Sequence, residues 1–454
     1  MDCFALTLAH NPQNTSNTHY IKLKFATIPK QNSRKTMTKL PKTWEVKTLG
    51  EVCDIFGGYT PKKQDLNSNK SGKPYFKVSD MNHEDNELYL QTTKSYLITH
   101  KFFRKNSVVF PKNGGAIYTN KKRILNQDSV VDLNTCVMTP KNFTHNMFLF
   151  FFIENINLSK YTKGSAVPTI DMDRFKQIKI PLPPIETQKQ IVEILDFKFA
   201  KIENATNALN LVKKDLVKLK ASLLNSAFNG TLLEMSSQEA TATKQSTNNT
   251  ESTLPHLPQD WEVKTLGEVA FVQNGFAFKS KEYQDNGTNI IRISDIKNNQ
   301  VDITDSVKTQ EKLPSEFEIH KGDLLIAMSG ATTGKTGVYQ YEFFSYLNQR
   351  VGNIKILKKD ILLDKFRNYF FMNIKKEIEN LAYGGAQPNI SKPMLENLKI
   401  PLPPLDTQKQ IVEILESKFK GIEKLDYFVN DSLDKLSKLK ASLLNKAFSG
   451  ELVC

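Results

Sequence analysis

The sequence predicts an α+β protein written twice: two globular domains separated by two long helices that pair antiparallel within the chain, the halves related by a pseudo-two-fold. Three observations predict it. Blocks of sequence recur in the same order about 220 residues apart. The copies agree at their ends and diverge in their middles. Each globular stretch is followed by some 40 residues of helical texture with one apolar seam.

The repeats set the boundaries. Trp44–Val52 recurs letter for letter as Trp261–Val269, Ile180–Leu195 as Ile400–Leu415 with two changes in 16, and Leu219–Asn225 as Leu439–Asn445. The offset is 217 at the first block and 220 at the other two, far above the period of a solenoid. The elements follow in order. Residues 1–39 form an N-terminal extension; the first 36 have no counterpart in the second half, so either translation starts at Met37 or the tail is a disordered basic arm. Residues 40–184 are the first globular domain, mixing short apolar alternations with Gly, Pro and Asn breakers. Within it Ser107–Phe110 reads as a buried strand and Asn146–Ile156 as a short helix.

Residues 185–230 are the first long helix. Its seam is Ile191, Leu195, Phe199, Ile202, Ala205, Leu209, Val212, Leu216, Leu219 and Leu223, in steps of three and four. Residues 231–256 are a linker whose Ser, Thr, Gln and Asn content supports no core. Residues 257–404 repeat the globular plan, with Asp323–Met328 as a strand and Asp364–Ile378 as a helix. Residues 405–450 form the second long helix, with Ile411, Leu415, Phe419, Ile422, Leu425, Val429, Leu433, Leu436, Leu439 and Leu443 on its seam. Neither stripe is stable alone in water, and the simplest partner for one is the other. A dimer between chains is the competing arrangement.

Composition narrows the class. Lys and Arg number 62 against 48 Asp and Glu, a net charge of +14 that points to an anionic partner. The excess is uneven: residues 41–180 hold 21 basic and 13 acidic side chains, residues 258–400 hold 19 and 18. Cys3, Cys53, Cys136 and Cys454 are far apart, which excludes a disulfide scaffold and a zinc knuckle. No apolar run approaches a membrane span, and the N-terminus is not a signal peptide, so a reducing cytoplasmic setting is expected.

Candidate nucleic-acid contacts cluster in the divergent middles. The stretch Lys112 to Arg123, with Lys121, Lys122 and Arg123 together, is a basic Gly-rich loop. Its counterpart, Ser329 to Thr336, has the look of a phosphate loop but begins on Ser where that pattern needs Gly, and no good helix follows. Lys335 there is a candidate for a DNA phosphate. Lys77 and Arg292 precede matching Ser-Asp pairs in matching strands; they are candidates for bases or phosphates, against plain exposed cations. Asn348, Gln349 and Arg350 suit adenine and guanine edges, against an ordinary polar loop, which also shows such residues. Gly164 with Pro168, and Gly384 with Pro388, read as setters of backbone shape. No catalytic constellation and no metal-ligand spacing is present in the sequence.

The blocks resemble the specificity subunit of type I restriction–modification enzymes. Its carriers here are Leu-Pro-x-x-Trp at Leu40 and Leu257 followed by Leu-Gly-Glu-Val, Gly-x-Ala-x-Pro-x-Ile at Gly164 and Gly384, and Ile-Pro-Leu-Pro-Pro-x-x-Thr-Gln-Lys-Gln-Ile-Val before each long helix. The match runs from Leu40 to Gly450. The family often has Glu where Thr187 and Thr407 stand. The resemblance implies two target-recognition domains, each reading half of a bipartite asymmetric DNA site, and a helical spacer that sets the gap. It implies docking of two methyltransferase subunits, joined by restriction subunits. S-adenosylmethionine, ATP and Mg would sit on those partners and none on this chain. Trp44, Gln188 and Gln190, with Trp261, Gln408 and Gln410, are the docking candidates in the repeated blocks. Two rival functions are a self-contained nuclease or methyltransferase and a coiled-coil adaptor with no DNA role.

Overall fold

The computed structural model describes residues 40–164, 167–234, 257–330, 332–382 and 388–453; the N-terminal extension and most of the linker lie outside them. Two compact units emerge, one running to Asn210 and resuming at Asn430, the other Leu211–Val429. Each holds one globular domain, the first part of that domain's own long helix and the last part of the other.

The two domains follow one plan. In the first, a five-stranded sheet runs in the order Cys53–Gly57, Thr135–Pro140, Val108–Pro111, Arg123–Leu125 and Tyr89–Leu90. A three-stranded sheet centred on Lys73–Phe76 carries Val130–Val131 parallel and Tyr96–Leu97 antiparallel to it. In the second, six strands run Ala270–Asn274, Val351–Ile356, Leu324–Ala327, Thr336–Val338, Asn299–Val301 and Ile296–Lys297. A four-stranded sheet runs Val307–Thr309, Thr288–Ile291, Ser345–Leu347 and Glu318–Ile319, with Ser345–Leu347 parallel to Thr288–Ile291. The central strands, Val108–Pro111 and Leu324–Ala327, are buried along their whole length, as unbroken apolar runs require.

The repeated blocks explain themselves locally. Glu45–Thr48 pairs with Lys179–Leu182, and Glu262–Thr265 with Lys399–Leu402, in the same antiparallel register. Thr48 then starts a one-turn helix. The Glu51 carboxylate accepts the Thr48 N–H at 2.6 Å and its hydroxyl at 2.7 Å, and Glu268 does the same for Thr265. These hydrogen bonds hold both carboxyls below the usual range.

The long helices span Ile185–Phe228 and Leu405–Ser449. Within the first unit, Ile191, Leu195, Phe199 and Ile202 share a core with Leu443, Leu444, Ala447 and Phe448. Within the second, Ile411, Leu415, Phe419 and Ile422 share one with Leu223, Leu224, Ala227 and Phe228. The start of each helix therefore meets the end of the other, which is antiparallel pairing. The seam departs from the predicted heptads. Ala205, Val212, Leu219, Leu425 and Leu439 are exposed, and Thr206 is buried in place of Ala205, donating to the Ile202 carbonyl at 2.8 Å. The reason is a one-residue offset. Leu195, Ile202, Leu216 and Leu223, like Leu415, Ile422, Val429 and Leu443, keep the seven-residue spacing. The second row lies four residues after Ile202 and Leu216, at Thr206 and Lys220, not three, at Ala205 and Leu219. At the step after Leu216 and Leu436 the contact passes to Lys220 and Lys440. Their ammonium groups lie 4.7 Å over the Phe419 ring and 5.1 Å over the Phe199 ring. The predicted helix at Asp364–Ile378 is two, Asp364–Asn373 and Lys375–Ala382.

Candidate nucleic-acid interface

One loop-bearing end of each domain brings together the Gly-rich loop and the proline segment singled out by sequence. In the first domain the Gly114 N–H donates to the Pro168 carbonyl at 2.7 Å and the Ile170 N–H to the Lys112 carbonyl at 2.9 Å. In the second the Gly330 N–H donates to the Pro388 carbonyl at 3.3 Å and the Ile390 N–H to the Met328 carbonyl at 2.8 Å. The Gly-rich loop and the proline segment are thus stitched edge to edge in both copies. Gly114 and Gly330 sit at φ of +75° and +90°, a backbone that side chains disfavour. Gly164 turns at φ +85°, while Gly384 lies outside the described residues.

A tight turn adjoins each loop. The Asp132 carboxylate accepts the Asn134 N–H at 3.1 Å, and the Asn348 side-chain oxygen accepts the Arg350 N–H at 3.2 Å. Each turn is pinned to a strand end, Asp132 N–H to the Phe76 carbonyl and Asn348 N–H to the Ile291 carbonyl. Each is tied to its Gly-rich loop, Lys112 N–H to the Asn134 carbonyl and Met328 N–H to the Arg350 carbonyl. Each also rests on a glycine. A Cβ on Gly58 would lie 2.1 Å from the Asp132 carbonyl oxygen, and one on Gly275 2.2 Å from that of Asn348.

The structure sorts the candidate cations. Lys77, Lys335, Gln349 and Arg350 are exposed, and Lys112 and Lys121 half-exposed, the latter bonded to the Asn82 side chain. Lys77 and Arg292 are not within strands; each follows one, at the N-cap of a 3-10 turn whose aspartate accepts the cap N–H. Arg292 also pairs with Asp295 and donates to the Asp305 carbonyl at 3.0 Å.

Several site expectations are corrected. Lys122 is 1% exposed and its ammonium donates to the Ile156 carbonyl at 2.8 Å; burial pushes its pKa down to about 8. Arg123 donates to the carbonyls of Asn86, Lys122 and Met81, so its guanidinium braces the domain. Asn348 is buried and spends its side chain on the turn. None of these three presents itself to a ligand.

Gln188 and Gln408 are likewise buried rather than available for docking. Gln188 accepts the His145 N–H at 2.8 Å and donates to the carbonyls of Phe143 and Pro183 at 3.0 and 2.9 Å. Gln408 accepts the Leu363 N–H at 3.0 Å and donates to Ile361 and Pro403 at 2.8 and 2.9 Å. Each welds the start of its helix to its own domain. Gln190 and Gln410 are exposed, and Trp44 and Trp261 are half-buried against the cores.

Sequence reasoning missed Leu133 and Asn134, the exposed residues of the first turn. No glycine or cation marks them. Aligning Val130–Thr135 with Tyr346–Val351 along the strands, an offset of 216, finds them.

A duplicated frame carrying two unlike loop surfaces defines a protein that reads two different targets from one scaffold. The chain matches the model of the type I restriction modification DNA specificity domain over residues 41–214 and 258–426, and it belongs to that family, as a specificity subunit. It is 27% identical over 434 residues to the type I restriction enzyme MjaVIII specificity subunit of Methanocaldococcus jannaschii, covering 91% of this chain and 94% of that one. It is 25% identical to the EcoKI specificity subunit of Escherichia coli strain K12, covering 91% and 90%. Among solved structures, a chain from a study of assembly and conformational transition in the type I R-M system matches with a TM-score of 0.73 at 22% identity, covering 91% of this chain and all of that one. The HsdS subunit of Thermoanaerobacter tengcongensis matches with a TM-score of 0.54 at 21% identity, covering 91% and 99%. These two show the shared fold.

Proposed function

We propose that this chain reads a bipartite, asymmetric DNA sequence, one half per globular domain, as the non-catalytic component of its complex. The observation that carries the reading is the pair of loop-bearing ends, alike in backbone hydrogen bonding and unlike in exposed side chains. Exposed Lys77 and Lys335, with Lys112 and Lys121, supply phosphate contacts that fix register; Gln349 and Arg350 meet base edges. Arg292, held by Asp295, contributes by shaping its turn.

The two long helices set the unspecified gap between half-sites. The repeated surfaces around Trp44 and Gln190, and around Trp261 and Gln410, dock two methyltransferase subunits, which restriction subunits join in the nuclease. The chemistry then belongs to those partners, which bind S-adenosylmethionine, ATP and Mg. No helix among the described residues is long and apolar enough to cross a membrane, and a cytoplasmic location accords with a DNA substrate.

Footprinting the complex with its methyltransferase tests the reading. Two protected half-sites separated by an unspecified gap are expected, with affinity falling steeply as salt rises. One continuous site, or DNA modification by this chain alone, contradicts it.

A further inference from the structure

We infer that the turns at Asp132–Asn134 and Asn348–Arg350 are equivalent base-reading elements, and that the side chains at 133–134 and 349–350 set which bases the two domains prefer. The inference deepens the recognition reading above and rests on it.

Both turns are fixed far more tightly than an ordinary surface loop. The first residue of each, Asp132 or Asn348, is buried and holds the third residue's N–H. The same residue's carbonyl accepts the next strand's first N–H, from Thr135 or Val351, at 3.0 and 2.8 Å. Backbone bonds to the neighbouring strand and the Gly-rich loop hold both flanks, and a glycine too close to admit a Cβ lies beneath. The cap, the ties to strand and Gly-rich loop and the underlying glycine are shared by the copies; the second turn adds the Gln349 N–H to the Phe276 carbonyl at 2.8 Å. The second and third side chains fix nothing in the backbone, are exposed, and differ. A rigid support with interchangeable exposed side chains is what discrimination between bases requires.

The chemistry of the two pairs differs in a readable way. Gln349 and Arg350 make no side-chain hydrogen bond or ion pair among the described residues. A glutamine amide matches the adenine N6 and N7 edge, and a guanidinium matches guanine O6 and N7. In the first domain Leu133 is 48% exposed, an apolar tip on a loop. The Asn134 side-chain oxygen takes the Asn113 amide at 3.2 Å, leaving the Asn134 N–H groups free to donate. A methyl-seeking side chain beside a donor fits thymine, which offers a C5 methyl next to its O4 acceptor. The first domain's turn therefore reads an A·T pair through thymine, the second's two purines, adenine through Gln349 and guanine through Arg350.

The test uses the intact complex of the full chain with its methyltransferase, measured by methylation-motif sequencing and by competition binding on single-base variants of the wild-type site. For Arg350→Ala, discrimination at one guanine of one half-site is expected to fall about 5- to 150-fold, the other half-site and the gap unchanged. Leu133→Gln with Asn134→Arg should replace the A·T preference in the opposite half-site alone. Three outcomes overturn the inference. One is an unchanged motif and unchanged discrimination in both variants. Another is a loss for Arg350→Ala that is uniform over all sequences with the salt slope reduced by about one, the mark of a phosphate contact only. The third is a change in both half-sites. Should the double variant fail to fold, Arg350→Ala, which removes an exposed side chain without internal partners, decides alone. A wild-type complex without a bipartite motif would instead overturn the recognition reading itself.

Discussion

Two regions recur in both units and obey opposite rules. At the junction between domain and helix, side chains are the structure: Gln188 and Gln408 are identical, buried and fully hydrogen-bonded, and the letters around them repeat almost unchanged. At the turns on the loop-bearing end the backbone is the structure. Asp132-Leu133-Asn134 and Asn348-Gln349-Arg350 share no residue at any position, yet the main-chain bonds at their first and third residues recur. The junction is kept by buried side-chain hydrogen bonds of one glutamine. The turn is kept by a cap and a glycine that leave its outward side chains free to vary.

The chain's two tryptophans make the comparison breakable, since Trp44 belongs to one unit and Trp261 to the other. Replacing Gln188 by Ala strands the His145 N–H and two carbonyls, and should destabilise the unit around Trp44 by about 2–4 kcal/mol. Urea unfolding followed by fluorescence of a Trp261→Phe background measures it, with Gln408→Ala as the mirror experiment on Trp44→Phe.

Gly275→Ala should cost about 1–3 kcal/mol, because the added Cβ meets a backbone carbonyl and not a movable side chain. The turn must shift, so discrimination in one half-site should fall while the other is kept; Gly58→Ala should do the reverse.

Buried Lys122 predicts a pH effect. Its folded pKa of about 8 lies below the ordinary lysine value of 10.5. Below pH 8 both folded and unfolded states carry the proton and the full cost of burying it is felt. Between pH 8 and 10.5 the unfolded chain binds more protons, so stability rises with pH. Relative to Lys122→Met, the parent should gain about 2 kcal/mol between pH ~7 and ~9.5, read from paired urea midpoints. Smallest, Lys220→Met and Lys440→Met should each lose only about 0.5–1 kcal/mol from the ammonium–ring contacts.

Much of the architecture was legible because it was written twice. Repeated letters located the frame, the paired helices and the proline segments without any geometry, whereas the bonds that stitch those segments to the Gly-rich loops are visible only in the structure. Side-chain direction was not legible. Lys121-Lys122-Arg123 reads as one basic patch, but at the edge of a strand neighbouring side chains leave in different directions, and Lys122 enters the domain. A buried glutamine looks like an exposed one in a polar string, so Gln188 passed for a docking residue. Leu133 and Asn134 carried no local signal, since their importance lies in a hydrogen-bond pattern shared with residues 216 positions away.

The most direct test of the central claim exchanges contents while keeping the frame: residues 54–160 are replaced by residues 271–380 of the same chain, and the methylation motif of cells carrying the complex is sequenced. A symmetric motif is predicted, two inverted copies of the second half-site with the gap unchanged. A motif that stays asymmetric, or in which the second half-site also changes, contradicts the account.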